Sequence, residues 1–118
     1  MAKAAIVVLA DTETSGEFGR VVNALTTVKE FRGSGDDVTL VFDGAGTKWI
    51  PELSKADHKY HQLFDSVRDR IHGACEYCAN AYGVREEVES NGVALLDEYD
   101  QHPSLHSYVV EGYQVITF

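Results

Sequence analysis

Residues 4–10, Ala-Ala-Ile-Val-Val-Leu-Ala, form an uninterrupted apolar run, and a strand with no polar face has to be covered on both sides. That requirement points to a parallel sheet inside a layered α/β fold. Just beyond it, Thr14-Ser15-Gly16-Glu17 carries a capping box, an N-cap hydroxyl followed three positions later by a carboxylate. Phe18, Val21, Val22, Leu25 and Val28 follow at spacings of three and four, which predicts a helix with one apolar stripe, stopped by Gly33-Ser34-Gly35.

The same alternation runs on along the chain. Residues 38–42, Val-Thr-Leu-Val-Phe, read as a second buried strand, ended by the turn formers Asp43-Gly44-Ala45-Gly46. Residues 47–70 predict two helical pieces separated near Lys55-Ala56-Asp57, with Pro51 in the first turn of the earlier piece, where its missing N–H costs little. A short strand at 71–74 leads into a helix over about 76–82, closed by Gly83, and a further helical turn or two over 85–90 is broken by Asn91-Gly92. Residues 93–96 predict a fourth strand. His102-Pro103-Ser104 opens a last helix reaching Val110 or Glu111, and residues 113–118 predict a fifth strand. The reading is therefore one domain, 1–118: a three-layer α/β sandwich with a mostly parallel sheet of about five strands, flavodoxin-like or Rossmann-like. In such a sheet the functional crevice lies beyond the carboxyl ends of the strands. The 11–15 loop, the 43–46 loop and the cysteines should meet there.

Composition narrows the functional classes. Hydrophobic residues make up 44% of the chain and charged ones 25%, a balance that supports a packed core rather than disorder. The formal net charge of −9 leaves no basic stripe for a nucleic acid or an anionic membrane surface. No apolar run approaches the roughly 20 residues that span a bilayer. The apolar start runs straight into Asp11-Thr12-Glu13 without a cleavage region, so it reads as a strand rather than a signal peptide. A cytoplasmic location is the resulting expectation, and there a cysteine pair is reactive or metal-binding more often than structural.

Both cysteines fall at one strand-to-helix junction, Cys75-Glu76-Tyr77-Cys78. A thiol at a helix N-terminus faces unpaired backbone N–H groups, which favour the thiolate, so Cys75 is the candidate nucleophile. Cys78 can resolve a disulfide or persulfide on Cys75, or simply pack inward as a small hydrophobe. His72, just upstream, is the candidate to assist deprotonation, unless strand alternation points it elsewhere. A thioredoxin-like dithiol site has the same spacing, but the chain has only two prolines and no terminal hairpin signal. His58-x-x-His61 together with the cysteines supplies zinc-type ligands. Such sites usually organise small loop-rich domains, and no metal is expected in this one. The Thr14-Ser15 loop lies where a flavin phosphate would sit, yet Asp11, Glu13 and Glu17 oppose an anion there, and no cofactor is expected.

The apolar first strand, the strand entering Ala74-Cys75, the run Cys75-x-x-Cys78-Ala79-Asn80-Ala81-Tyr82-Gly83-Val84 and the ending from His102-Pro103-Ser104 through Glu111-Gly112-Tyr113-Gln114-Val115-Ile116-Thr117-Phe118 together resemble the DsrE/DsrF-like proteins. The resemblance implies a flavodoxin-like subunit that assembles into homotrimers or homohexamers. It further implies a cysteine that carries sulfur as a persulfide between donor and acceptor proteins. Cys75 stands eight residues before Gly83, the family position of that cysteine, whereas Cys78 departs from the single-cysteine pattern. The expected function is a sulfur carrier or sulfurtransferase acting through Cys75. A flavin- or nucleotide-binding module and a non-catalytic oligomeric interaction protein are the alternatives.

Overall fold

The computed structural model describes all residues, 1–118. Five strands, β1 (Lys3–Val8), β2 (Asp37–Phe42), β3 (Ile71–Cys75), β4 (Leu95–Leu96) and β5 (Gln114–Thr117), alternate with six helices. These are α1 (Ser15–Gly33), α2 (Trp49–Ser54), α3 (His61–Ser66), α4 (Glu76–Ala81), α5 (Arg85–Ser90) and α6 (Leu105–Val110). The sheet order is β4-β3-β2-β1-β5, and every pairing is parallel. This is the three-layer α/β architecture expected from the alternation, with a wholly parallel sheet.

The two faces are unequally covered. On one, Ile6, Val8, Leu40, Phe42 and Ala74 pack against Val21, Leu25 and Val28 of α1 and apolar residues of α2 to α5 in a core of 19 buried side chains. On the other, Ala5, Val7, Val41 and Leu96 are covered by Tyr108 of α6. The asymmetry follows from the strand order. Steps β1 to β4 march in one direction, so right-handed crossovers put their helices on one face, and only the reverse step to β5 delivers a helix to the other. No helix is long and apolar enough to cross a membrane.

Element ends differ from the sequence expectation wherever a backbone group is claimed by a neighbour. β1 stops at Val8 because the N–H groups of Leu9 and Ala10 turn to the Phe118 carbonyl. Val93 leaves β4 because its N–H bonds the Val88 carbonyl and caps α5. His102 and Pro103 lie before the last helix, whose N-cap is Ser104, its hydroxyl accepting from the Ser107 N–H at 3.2 Å. The Thr14 cap is as expected, with its Oγ1 accepting from the Glu17 N–H at 3.2 Å.

β3 carries the irregularity that matters most for the site. Leu40 pairs with Ile71, but the next residue, Val41, pairs with Gly73, so His72 is an extra residue bulged out of register. Beyond the bulge β4 comes very close: an added Cβ on Gly73 would sit 2.5 Å from the Ala94 carbonyl oxygen and 2.7 Å from Leu96 Cγ. Gly73→Ala should therefore lower stability by about 1–3 kcal/mol in urea unfolding, as overpacking against backbone does. Gly33→Ala, where nothing lies within 4 Å, should be neutral or stabilising in the same measurement.

Candidate functional site

β2 and β3 end side by side, Phe42 paired with Ala74, so the residues that follow them, Asp43 and Cys75, emerge at the same edge of the core. Cys75 is both the last residue of β3 and the N-cap of α4, and its Sγ accepts from the Cys78 N–H at 3.3 Å. One helical turn on, Cys78 directs its thiol to Asp43 Oδ1 at 3.5 Å. The same Asp43 oxygen accepts from the Gly44 N–H at 2.8 Å and caps the 3₁₀ turn Gly44–Lys48. That turn is pressed against β1, where a Cβ on Gly46 would meet the Val8 carbonyl oxygen at 2.1 Å.

The fourth member comes from a different part of the chain. Tyr99 and His102 exchange two backbone hydrogen bonds, of 2.9 and 2.8 Å, closing a two-residue loop in which Asp100 and Gln101 have φ of 48° and 68°. Two successive positive φ values are the mark of a type I′ turn, usually made by Asn-Gly or Asp-Gly. The turn docks through the Gln101 carbonyl, which accepts from the Tyr77 N–H at 2.9 Å, and brings His102 Nδ1 to 3.2 Å from Cys75 Sγ. The His102 ring lies against that of Tyr77, with centroids 5.0 Å apart. One ligand-type atom from each of Asp43, Cys75, Cys78 and His102 falls within 4.8 Å of all the others.

Burial governs the thiols. Cys75 is fully buried and Cys78 is 9% exposed, and neither forms a disulfide. Desolvation pushes the Cys75 thiol well above its ordinary range, helped by the side chain of Cys78 and the charge of Asp43 and opposed by the Cys78 N–H. The Cys78 thiol is also raised, first by burial, although Cys75 and the Gly44 N–H pull the other way. The sequence expectation of a thiolate favoured by a helix terminus is therefore outweighed. α4 is only six residues long, and one N–H bond does not compensate for removal from water. Burial thus favours the protonated form of both sulfurs.

The other residues singled out from sequence lie apart from this cluster. His72, on the bulge, hydrogen-bonds through Nδ1 to the Tyr108 hydroxyl and places Nε2 3.8 Å from Glu98, on the α6 side of the sheet. The imidazole that touches the Cys75 sulfur is that of His102. His61 Nδ1 bonds the Leu53 carbonyl at 2.8 Å, and His58 Nδ1 accepts from the Tyr60 N–H at 3.0 Å beside Phe18 and Trp49. Neither joins the cysteines. In the 11–15 loop, Lys48 pairs with Asp11 at 2.6 Å and Glu13 at 3.3 Å, so its acids are answered by a side chain of this chain. The 43–46 loop meets the cysteines as expected, through Asp43, but the sequence marked neither Asp43 itself nor His102 as a ligand or base. A turn-forming Asp and a helix-opening His-Pro-Ser look alike whether or not they converge on a sulfur.

The chain is thus a small parallel α/β protein with a thiol–imidazole–carboxylate cluster at the carboxyl ends of its central strands. No known family's model matches it. It is 28% identical over 96 residues to the uncharacterized protein MJ0733 of Methanocaldococcus jannaschii, an alignment spanning 81% of this chain and 78% of that protein. Its fold is similar to that of BT1422, a conserved protein of unknown function from Bacteroides thetaiotaomicron, with a TM-score of 0.67. The two are 16% identical, and the match covers 97% of this chain and 94% of the other.

The Asp100-Gln101 turn is strained, since a side chain in the left-handed region costs about 1–2 kcal/mol. Gln101→Gly should raise stability by about 0.5–1 kcal/mol without moving His102, because the docking bond is made by backbone. Gln101→Val should lower stability by more than about 1 kcal/mol, both read from thermal or urea unfolding.

Proposed function

We propose that the protein is a sulfur carrier of the sulfurtransferase type, in which Cys75 accepts sulfane sulfur as a persulfide and passes it to a partner thiol. The carrying observation is the Cys75–His102 pair, a nucleophile and a base 3.2 Å apart. The likeness to the DsrE/DsrF-like proteins supports the same reading. With burial holding the thiol protonated, His102 Nδ1 is the group that takes the proton as attack begins. The Cys75 thiolate then attacks the outer sulfur of a donor persulfide. A Cys75–S bond forms, the donor S–S bond breaks, and the departing donor thiolate recovers the proton from His102. Repeating the step with an acceptor thiol returns Cys75 to its starting state with no net oxidation. Cys78, one turn away, supplies the thiol that can collapse a stranded persulfide to a Cys75–Cys78 disulfide with release of hydrogen sulfide.

The 99–102 turn packs against the buried Cys75 sulfur and is held by the Tyr77–Gln101 backbone bond and by Glu98 accepting from the Ser104 N–H at 3.0 Å. Donor and acceptor are therefore proteins or small persulfides that displace this turn. A cytoplasmic location, the compartment where thiols stay reduced, belongs to the same proposal.

Metal-free, reduced protein treated with polysulfide should gain one sulfur, about 32 Da, by intact mass. The gain should vanish in Cys75→Ser, persist in Cys78→Ser, and form at least about tenfold more slowly in His102→Ala, in line with the value of a positioned base. Labelling that survives Cys75→Ser but not Cys78→Ser would overturn the assignment of the nucleophile.

Self-association is the second part of the proposal. α6 alone covers its face of the sheet, and its outer side leaves Val109 at 62% and Val110 at 69% exposed, with Leu105 one turn before Val109 and Tyr99 close to Leu105 across a surface pocket. Such a patch fits a second copy of the chain. Sedimentation should show a trimer or hexamer that Val109→Asp/Val110→Lys converts to monomer; a monomeric native protein would sink this part.

A further inference from the structure

We infer that Asp43, Cys75, Cys78 and His102 form a four-ligand site for a single zinc ion, distinct in its chemistry from sulfur transfer although it takes up the same Cys75 sulfur. A tetrahedral zinc holds thiolate sulfur at about 2.3 Å and imidazole nitrogen or carboxylate oxygen at about 2.0–2.2 Å, which sets ligand atoms roughly 3.2–3.8 Å apart. Two donor pairs already have this spacing, 3.2 Å from Cys75 Sγ to His102 Nδ1 and 3.5 Å from Cys78 Sγ to Asp43 Oδ1, and all four donors lie within 4.8 Å of one another, close enough to draw in around one ion.

The donor set selects the metal. Two sulfurs and an imidazole nitrogen are poor ligands for calcium or magnesium, whereas zinc takes sulfur, nitrogen and oxygen in a tetrahedron. The donors come from three separate places, the β2 end, the β3–α4 junction and the 99–102 turn, so one ion would pin that turn to the sheet. Outer-shell bonds hold at least two ligands: the Gly44 N–H donates to Asp43 Oδ1 and the Cys78 N–H to Cys75 Sγ. Loading releases the two thiol protons to solvent and leaves the ligands as two thiolates, a carboxylate and a neutral imidazole. Four protein ligands leave no open position, so the ion acts as a clasp and not as a catalyst. It also occupies the Cys75 sulfur, so zinc-bound protein is closed to sulfane sulfur.

The test uses full-length protein, reduced, stripped of metal and free of sulfane sulfur, titrated with Co²⁺ and then with Zn²⁺ against a chromophoric chelator. One cobalt per chain should bind with tetrahedral ligand-field bands and a thiolate-to-cobalt charge-transfer band, and zinc should displace it. Asp43→Asn and His102→Ala should each weaken zinc binding by more than about 100-fold, beyond the loss expected for an outer-shell partner. His61→Ala should leave it unchanged. His102→Cys, which keeps a ligand in place, should retain binding with a stronger charge-transfer band and guards against reading a folding defect as a lost ligand. Absence of the charge-transfer band, or zinc affinity unaltered in both Asp43→Asn and His102→Ala, overturns the site. Because persulfide loading is measured on metal-free protein, either reading can fail while the other stands. If both hold, one equivalent of zinc abolishes the polysulfide mass shift.

Discussion

The approach of β4 to β3 at Gly73 is the contact on which the site depends. β3 and β4 pair over only two positions, Ala74 with Leu95 and Cys75 with Leu96, and the pairing is tight because Gly73 presents no side chain to the Ala94 carbonyl. The Ala74 N–H completes the junction by donating to that same carbonyl at 2.9 Å. Where β4 lies decides where the chain emerges afterwards, and therefore whether the 99–102 turn can fold back over the end of β3. Without that register, His102 has no reason to meet Cys75.

Burial and hydrogen bonding compete at the two thiols, and burial wins. A sulfur with one backbone N–H partner beside a carboxylate, shielded from water, is held as a neutral thiol. The neutral state protects the sulfur from adventitious oxidation, because the thiolate is the reactive form. In the proposed sulfur-carrier reading activation is local, by proton transfer to His102, and in the proposed zinc site the metal ion replaces the proton. Both proposed routes run through Cys75 and His102, and the strained Asp100-Gln101 turn is the element that places the imidazole against the sulfur.

Much of the fold was legible because it is written in short-range patterns. The Thr14 cap, the stripe from Phe18 to Val28, the break near Lys55-Ala56-Asp57 and the stop at Gly83 each record a local physical requirement, and each appears where those residues put it. Strand ends were less legible. Val93 and Leu9 look like strand residues, yet their N–H groups bond to Val88 and Phe118, and that competition depends on where neighbouring elements end. At the site, Cys75 and Cys78 were visible through their spacing. His72 drew attention by proximity in the chain, but the bulge in β3 sends its ring toward Tyr108.

By itself the sequence determined a layered parallel α/β domain, because buried strands without a polar face and capped amphipathic helices permit little else. It also placed the cysteine pair at a strand-to-helix junction beyond the carboxyl end of a central strand. Only the tertiary structure decided which imidazole and which carboxylate join them. His102 is 27 residues from Cys75, and Asp43 is 35 from Cys78. Convergence over such separations is set by strand order, by the close packing at Gly73 and by an uncommon turn at Asp100-Gln101. None of these leaves a periodic trace in the chain, since each is a property of how elements meet and not of any one element.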